Sequence, residues 1–256
     1  MLRKRIIFTL IYCDGFFMQS RNFRLQKVGN LNWLEKNYKL QEIAFSLDEI
    51  IVLDASKSGK NIHNFSDIIE KLVKNVFIPI SAGGGIRSLE DAYLLFNSGA
   101  DKIVLNSLLI ENPNMVKSMV KQYGSQSILA SIDCKFNGND YDIFIEDGKV
   151  KIDFQLEKYI RYLEDLGVGE LYLNSIDKDG TGFGYDSSLI SKINYKTKIP
   201  LIIAGGAGNE NHLSAGLKID NVNAVATANL FNFIGDGLPN ARRKIIESGE
   251  NIANWN

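Results

Sequence analysis

Two glycine clusters and one carboxylate stand where this sequence could do chemistry. Gly83-Gly84-Gly85 and Gly205-Gly206-Ala207-Gly208 each close a short apolar run, and each is followed 21 or 22 positions on by a small polar pair, Asn106-Ser107 and Ala228-Asn229. Glycine leaves backbone amides unshielded, and a helix opening at the polar pair would add its N-terminal N–H groups, a combination suited to a phosphate dianion. One cluster alone reads equally well as a tight turn; two at equivalent positions favour phosphate binding. Gly84, Gly85, Asn106 and Ser107 would then hold one phosphate, and Gly205, Gly206, Ala228 and Asn229 a second. The expected ligand is therefore long and phosphorylated at both ends. Asp133 emerges from the apolar run Ala130-Ser131-Ile132, where desolvation would raise its pKa and suit it to general acid or base work. The plainer reading is a cap on the following turn. Ser175-Ile176-Asp177-Lys178-Asp179-Gly180-Thr181 adds two carboxylates beside a flexible glycine, either a substrate loop around Asp179, Gly180 and Thr181 or an ordinary Asp-Gly turn.

These residues need a scaffold that brings distant segments to one end. Eight short apolar runs recur: 6–10, 50–53, 77–80, 103–105, 128–132, 171–173, 201–203 and 222–226. Such runs suit strands buried on both faces, as in a parallel sheet. Helical signals lie between them. Ser88 to Asp91 resembles a capping box closed by Gly99; Asn112-Pro113 opens a segment that Gly124 stops; Leu156, Ile160, Leu163 and Leu166 mark one apolar face. Eight such alternations over 256 residues predict an α/β chain folded as one (β/α)8 TIM barrel, in preference to an open doubly wound sheet. The chain also repeats itself. Pro79 and Pro200 stand 121 positions apart within similar segments, and Ser107 and Asn229 are 122 apart. Two half-barrels, roughly 1–123 and 124–256, follow from that period. Chemistry in such a barrel sits on the loops after the strands, where both glycine clusters fall.

Composition narrows the classes. The chain has 29 Lys+Arg against 30 Asp+Glu, a net charge of −1, which argues against non-specific nucleic-acid or membrane-surface binding. Cys13 and Cys134 cannot build a disulfide framework or a zinc site and are expected as free thiols; nothing calls for a metal or an organic cofactor. Residues 1–14 faintly resemble a leader, but the apolar run is short and ends at Asp14 without a small-residue cleavage site. No stretch approaches the roughly 18 apolar residues of a membrane span. A cytoplasmic protein is the expectation. His63 and His212 have no partner acid or cysteine nearby in sequence and read as surface residues. Arg5, Glu49, Lys102 and Glu170 stand ahead of equivalent strands, either as a ring across the barrel's other end or as separate solvated charges.

Lys4-Arg5-Ile6-Ile7, Gly83 to Arg87, Gly99 to Lys102, Gly124-Ser125-Gln126, Ala130 to Lys135, Ser175 to Thr181 and Gly184-Tyr185-Asp186 together resemble the cyclase subunits of imidazole glycerol phosphate synthase, in order over nearly the whole chain. The pairing of the Ser175–Thr181 segment with Gly184-Tyr185-Asp186 favours the cyclase over the related phosphoribosylformimino isomerase. The resemblance implies a heterodimer with a glutaminase docked on the N-terminal face of the barrel. Ammonia would pass through the interior to a bis-phosphorylated ribulosyl substrate, which is cyclised and cleaved. It also implies that Arg5, Glu49, Lys102 and Glu170 form the ammonia gate and that Asp101 touches the glutaminase. One departure stands out. Where the family's first strand carries a catalytic Asp, this chain has Ile11, and the repeat places Ile11 opposite Asp133. Gln19 replaces a family lysine, and Asn229 and Ala204 replace family serines. The expectation is a barrel that still docks a glutaminase and conducts ammonia to a phosphorylated acceptor but has lost cyclisation. Relatives of that type accompany sugar amidation to acetamidino sugars. The alternatives are a working cyclase of histidine biosynthesis and a non-catalytic activator of the glutaminase.

Overall fold

The computed structural model describes residues 3–57, 60–193 and 197–254. Met1 and Leu2, at the head of the leader-like stretch, lie outside them. Among the described residues twelve strands follow one another: β1 (Arg5–Cys13), β2 (Phe16–Arg21), β3 (Arg24–Gly29), β4 (Glu49–Asp54), β5 (Ile80–Gly83), β6 (Lys102–Leu105), β7 (Ile128–Phe136), β8 (Tyr141–Ile145), β9 (Val150–Ile152), β10 (Glu170–Ser175), β11 (Leu201–Ala204) and β12 (Ala224–Thr227). Eight of them close on themselves, all parallel, in the order β1-β4-β5-β6-β7-β10-β11-β12 and back to β1. With helices between the strands this is the (β/α)8 barrel expected from the eight apolar runs.

Alternation along each strand sorts the core into two shells. Ile7, Ile51, Val104, Leu129, Tyr172, Ile202, Ala224 and Ala226 point into the barrel and pack on one another. Ile6, Phe8, Leu10, Ile50, Val52 and their counterparts point outward against the helices. This two-sided burial is why the strands read as continuous apolar runs. The helix signals also hold: Ser88 and Asp91 form a full capping box ahead of Leu89–Asn97, and the Asn112 side chain caps Pro113–Tyr123. Leu156, Ile160, Leu163 and Leu166 are buried along Leu156–Leu166.

Three details differ from expectation. The third strand begins at Ile80, not Phe77: Pro79 has no N–H to give, and Phe77 is 77% exposed. Ser107 opens only the one-turn helix Leu108–Glu111. No helix opens at Ala228-Asn229; residues 230–236 form turns before Gly237–Glu247, and Asn229 Oδ1 accepts the amides of Phe231 and Asn232.

Two antiparallel extensions rise from the barrel at equivalent places in its two halves. β2 and β3 continue β1, and β8 and β9 continue β7. They meet over the barrel mouth, where the Phe23 ring lies against Gly148. Among the described residues no helix is long and apolar enough to cross a membrane.

Candidate functional site

The C-terminal strand ends and the two hairpins enclose a cavity of about 510 Å³. Asp133 lies in its wall. The inward-facing positions of β7 run Leu129, Ser131, Asp133, so the carboxylate is the last inward residue before the strand leaves the barrel. It is buried and accepts two amide donors, Asn174 Nδ2 at 3.1 Å and Asn106 Nδ2 at 3.2 Å. Burial raises its pKa to about 7; the Asn174 bond opposes the rise, and the Asp179 and Asp147 charges add to it. A carboxyl with that pKa can give or take a proton near neutral pH.

Ile11 occupies the matching position on β1. Ile7 faces the interior, so Ile11, four residues on, faces the same way, and it lines the cavity with Asp133. Below it the Thr9 and Tyr172 hydroxyls lie 3.1 Å apart, a bond that crosses the barrel between β1 and β10.

Both glycine loops border the cavity. Gly84 has φ +105°, and a Cβ there would stand 2.2 Å from the Asp54 carbonyl oxygen; at Gly205, φ +87°, it would stand 2.6 Å from that of Ser175. Asp54 and Ser175 are themselves 121 positions apart, so each half builds its loop by the same close approach. Gly85, Asn106, Ser107, Gly206, Ala228 and Asn229 also border the cavity. Asn106 has a second use, holding Asp133. Of the loop after β10, Asp179 and Gly180 both border the cavity, Gly180 packed under the Ser20 carbonyl. Asp179 turns onto the first hairpin, accepting Ser20 Oγ and the Phe23 amide, and burial raises its pKa. Thr181 does not reach the cavity: its hydroxyl donates to the Lys178 carbonyl at 2.7 Å, completing its own turn.

At the opposite end of the barrel the four strand-start charges form a closed ring. Arg5 bridges Glu49 at 2.8 Å and also Glu170; Lys102 bridges Glu170 at 2.8 Å and Glu49 at 3.1 Å. Both carboxylates are buried, and Ser81 Oγ donates to Glu49 as well. Burial works against the Arg5 charge, but the Glu170 and Glu49 carboxylates more than restore it and hold its pKa above the usual value. The reading of four separate solvated charges fails for this reason. Asp101 is exposed next to the ring, and its carboxylate accepts the Ile80 amide at 2.8 Å.

Several working residues gave no signal in the sequence. Asn174 and the Thr9–Tyr172 pair are inward positions of otherwise apolar strands. Lys57, Lys60 and Arg87 reach the cavity from loops whose course only the fold reveals. His212, half-buried and outside the cavity lining, accepts the Gly208 amide on its Nδ1 at 3.2 Å and so holds the second glycine loop. Cys13 and Cys134 are both free thiols. Among the described residues no group of three or more His, Cys, Asp or Glu is placed to hold a metal ion.

The family model of the histidine biosynthesis proteins matches residues 26–234. Over its full length the chain is 44% identical to a Parasynechococcus marenigrum (strain WH8102) protein that bears the name imidazole glycerol phosphate synthase subunit hisF2, and it covers 95% of that protein. It is 37% identical over 239 residues to the imidazole glycerol phosphate synthase subunit HisF of Pyrobaculum aerophilum, covering 93% of this chain and 92% of the relative. To the HisF subunit of Pelodictyon phaeoclathratiforme it is 34% identical over 250 residues, 97% and 98% of the two chains.

Proposed function

Because the chain belongs to the histidine biosynthesis protein family, as a HisF-type cyclase subunit of imidazole glycerol phosphate synthase, we propose that it is the ammonia-accepting barrel of a glutaminase heterodimer whose own cyclisation has been lost. One observation carries the reading. Asp133 faces Ile11 across the cavity, and an isoleucine can neither move a proton nor stabilise a developing cation. Losing one of two acid–base groups costs on the order of 10²–10⁴ in rate.

In this cytoplasmic complex the glutaminase docks on the face that carries the ring, with Asp101 at its edge. Arg5, Glu49, Lys102 and Glu170 gate the entry of ammonia. Beyond the ring the interior is lined mostly by small and aliphatic side chains, including Ala224 and Ala226, with the Thr9 and Tyr172 hydroxyls as its neutral polar groups, which suits an uncharged ammonia better than ammonium. At the far end a phosphorylated acceptor lies with its phosphate against Gly84 and Gly85. As ammonia adds to an electrophilic carbon of the acceptor it must shed a proton, and Asp133, with its pKa near 7, is the group placed to take it. The acceptor we propose is the N-acetyl group of a surface-polysaccharide sugar, whose amide oxygen ammonia replaces to give an acetamidino group and one water.

The test is turnover of the bis-phosphorylated ribulosyl substrate with free ammonia. The proposal expects a rate lower than that of a HisF carrying both carboxylates by on the order of 10²–10⁴. Comparable rates would restore the histidine-biosynthesis reading.

A further inference from the structure

The cavity has a floor. Its wall includes Thr9, Val104, Tyr172, Ala204 and Ala226, whereas Ile7, Ile51, Leu129, Ile202 and Ala224 of the same inner shell are no part of it. Thr9 and Tyr172 therefore stand at the boundary between the cavity and the bore that leads down to the charged ring. Both are buried, at 2% and 4% exposure, and their hydroxyls lie 3.1 Å apart. Tyr172 is the one aromatic side chain of this shell among the described residues. It belongs to β10 and Thr9 to β1, and β11 and β12 stand between them in the barrel. Those two strands turn Ile202, Ala204, Ala224 and Ala226 inward, three of them alanines. A protein interior packs to near-crystalline density, so the room that the alanines leave is the room the phenol ring takes. The ring lies across the bore, held at its root by β10 and at its tip by Thr9.

The bond leaves a chemical remainder. Two hydroxyls carry two hydrogens, and one serves their mutual bond. Neither oxygen has another partner among the described residues, so the second hydrogen has no protein acceptor. Ammonia has a lone pair to accept it and N–H groups to give to the oxygens. Ammonium has no lone pair and would lose its hydration in an apolar shell. Tyr172 stays a neutral phenol here: burial raises its pKa, the Thr9 bond opposes the rise, and the Asp133 and Asp179 charges add to it. The pair also stands directly beneath the chemistry. Thr9 is two residues before Ile11 on β1, and Tyr172 two before Asn174, whose amide holds Asp133 at 3.1 Å. Whatever passes the pair emerges between Ile11 and Asp133.

We infer that Tyr172, latched by Thr9, is an inner gate in series with the ring, and that its hydroxyl pair is a site for neutral ammonia that opens the latch on binding. The supply of ammonia to this site rests on the reading of the barrel as a conduit; the gate itself does not.

The experiment reads access to the bore without turnover. Ala224→Cys places a thiol below the floor, at the position paired with Arg5 of the ring. The full chain is treated with methyl methanethiosulfonate, and labelling is followed at each cysteine by mass spectrometry. Cys134, fully buried in the outer shell, reports general unfolding and serves as the reference. With the pair intact the introduced thiol should label slowly. Tyr172→Phe and Thr9→Val each remove the latch and keep the shape. Each should speed labelling about two- to tenfold relative to Cys134, the worth of one neutral hydrogen bond. At pH 9 ammonium chloride, much of it then free base, should speed labelling in the chain with the pair intact, and sodium chloride of equal strength should not. A rate that either variant leaves unchanged, or that rises only in step with Cys134, would overturn the gate. Equal rates in the two salts would overturn the ammonia site. No acceptor, cyclisation or glutaminase is involved, so failure here is separable from failure of the cyclisation test.

Discussion

Replacing Asp133 by asparagine keeps the shape of the side chain and removes its charge. In the folded protein burial holds this carboxyl at about 7 against an ordinary 3.8, a difference worth about 4 kcal/mol. The folded state keeps the proton more tightly than the unfolded chain does. The stability that Asp133 contributes is therefore complete below about pH 4 and is lost as pH rises through about 7. Asparagine has no such dependence. It also leaves one of the Asn106 and Asn174 amides facing another donor, an offset of about 1 kcal/mol that does not change with pH. Urea unfolding of both proteins at a series of pH values isolates the effect as a difference of free energies. Relative to the variant, the unaltered chain should lose about 3 kcal/mol between pH 5 and pH 8. A difference that stays constant within about 0.5 kcal/mol over that range would refute the claim that burial governs this carboxyl.

Other perturbations test the scaffold around it. Glu170→Ala leaves Arg5 and Lys102 sharing Glu49 alone and should cost about 2–4 kcal/mol in urea unfolding. In the glutaminase complex the same variant should impair glutamine-dependent transfer and spare transfer from free ammonia; equal loss of both in a folded protein would argue against gating. Gly84→Ala places a Cβ 2.2 Å from the Asp54 carbonyl oxygen at a φ of +105°. It should cost about 2–4 kcal/mol, read as a lowered Tm, and abolish phosphate binding.

How much of this was legible in the sequence depended on whether a residue's partners were local. The strands were, because two-sided burial writes each as an apolar run. The third was misplaced because Phe77-Ile78-Pro79 is apolar without being sheet. Capping at Ser88 and Asn112 was legible because cap and capped amide lie three residues apart. The residues alone left the ring open against four solvated charges, since the repeat pairs only Glu49 with Glu170; the family resemblance was what pointed to it. The hairpins β2–β3 and β8–β9 were not legible. The strands β2 and β3 are largely half exposed and turn at Asn22-Phe23, at positive φ without a turn signature, whereas Asp147-Gly148 between β8 and β9 is a hairpin signal that went unread. Gln19 was the hardest residue to read. In sequence it is a missing lysine; its bond to the Leu230 amide spans 211 positions and exists only once the barrel closes.

The central claim is that the active end of the barrel lacks one carboxylate, at Ile11. The direct measurement is cyclisation of the bis-phosphorylated ribulosyl substrate with free ammonia, run on the unaltered chain and on Ile11→Asp. The account predicts a barely measurable rate that the restored carboxylate raises by on the order of 10² or more. A fast reaction in the unaltered chain that Ile11→Asp leaves unchanged would contradict it.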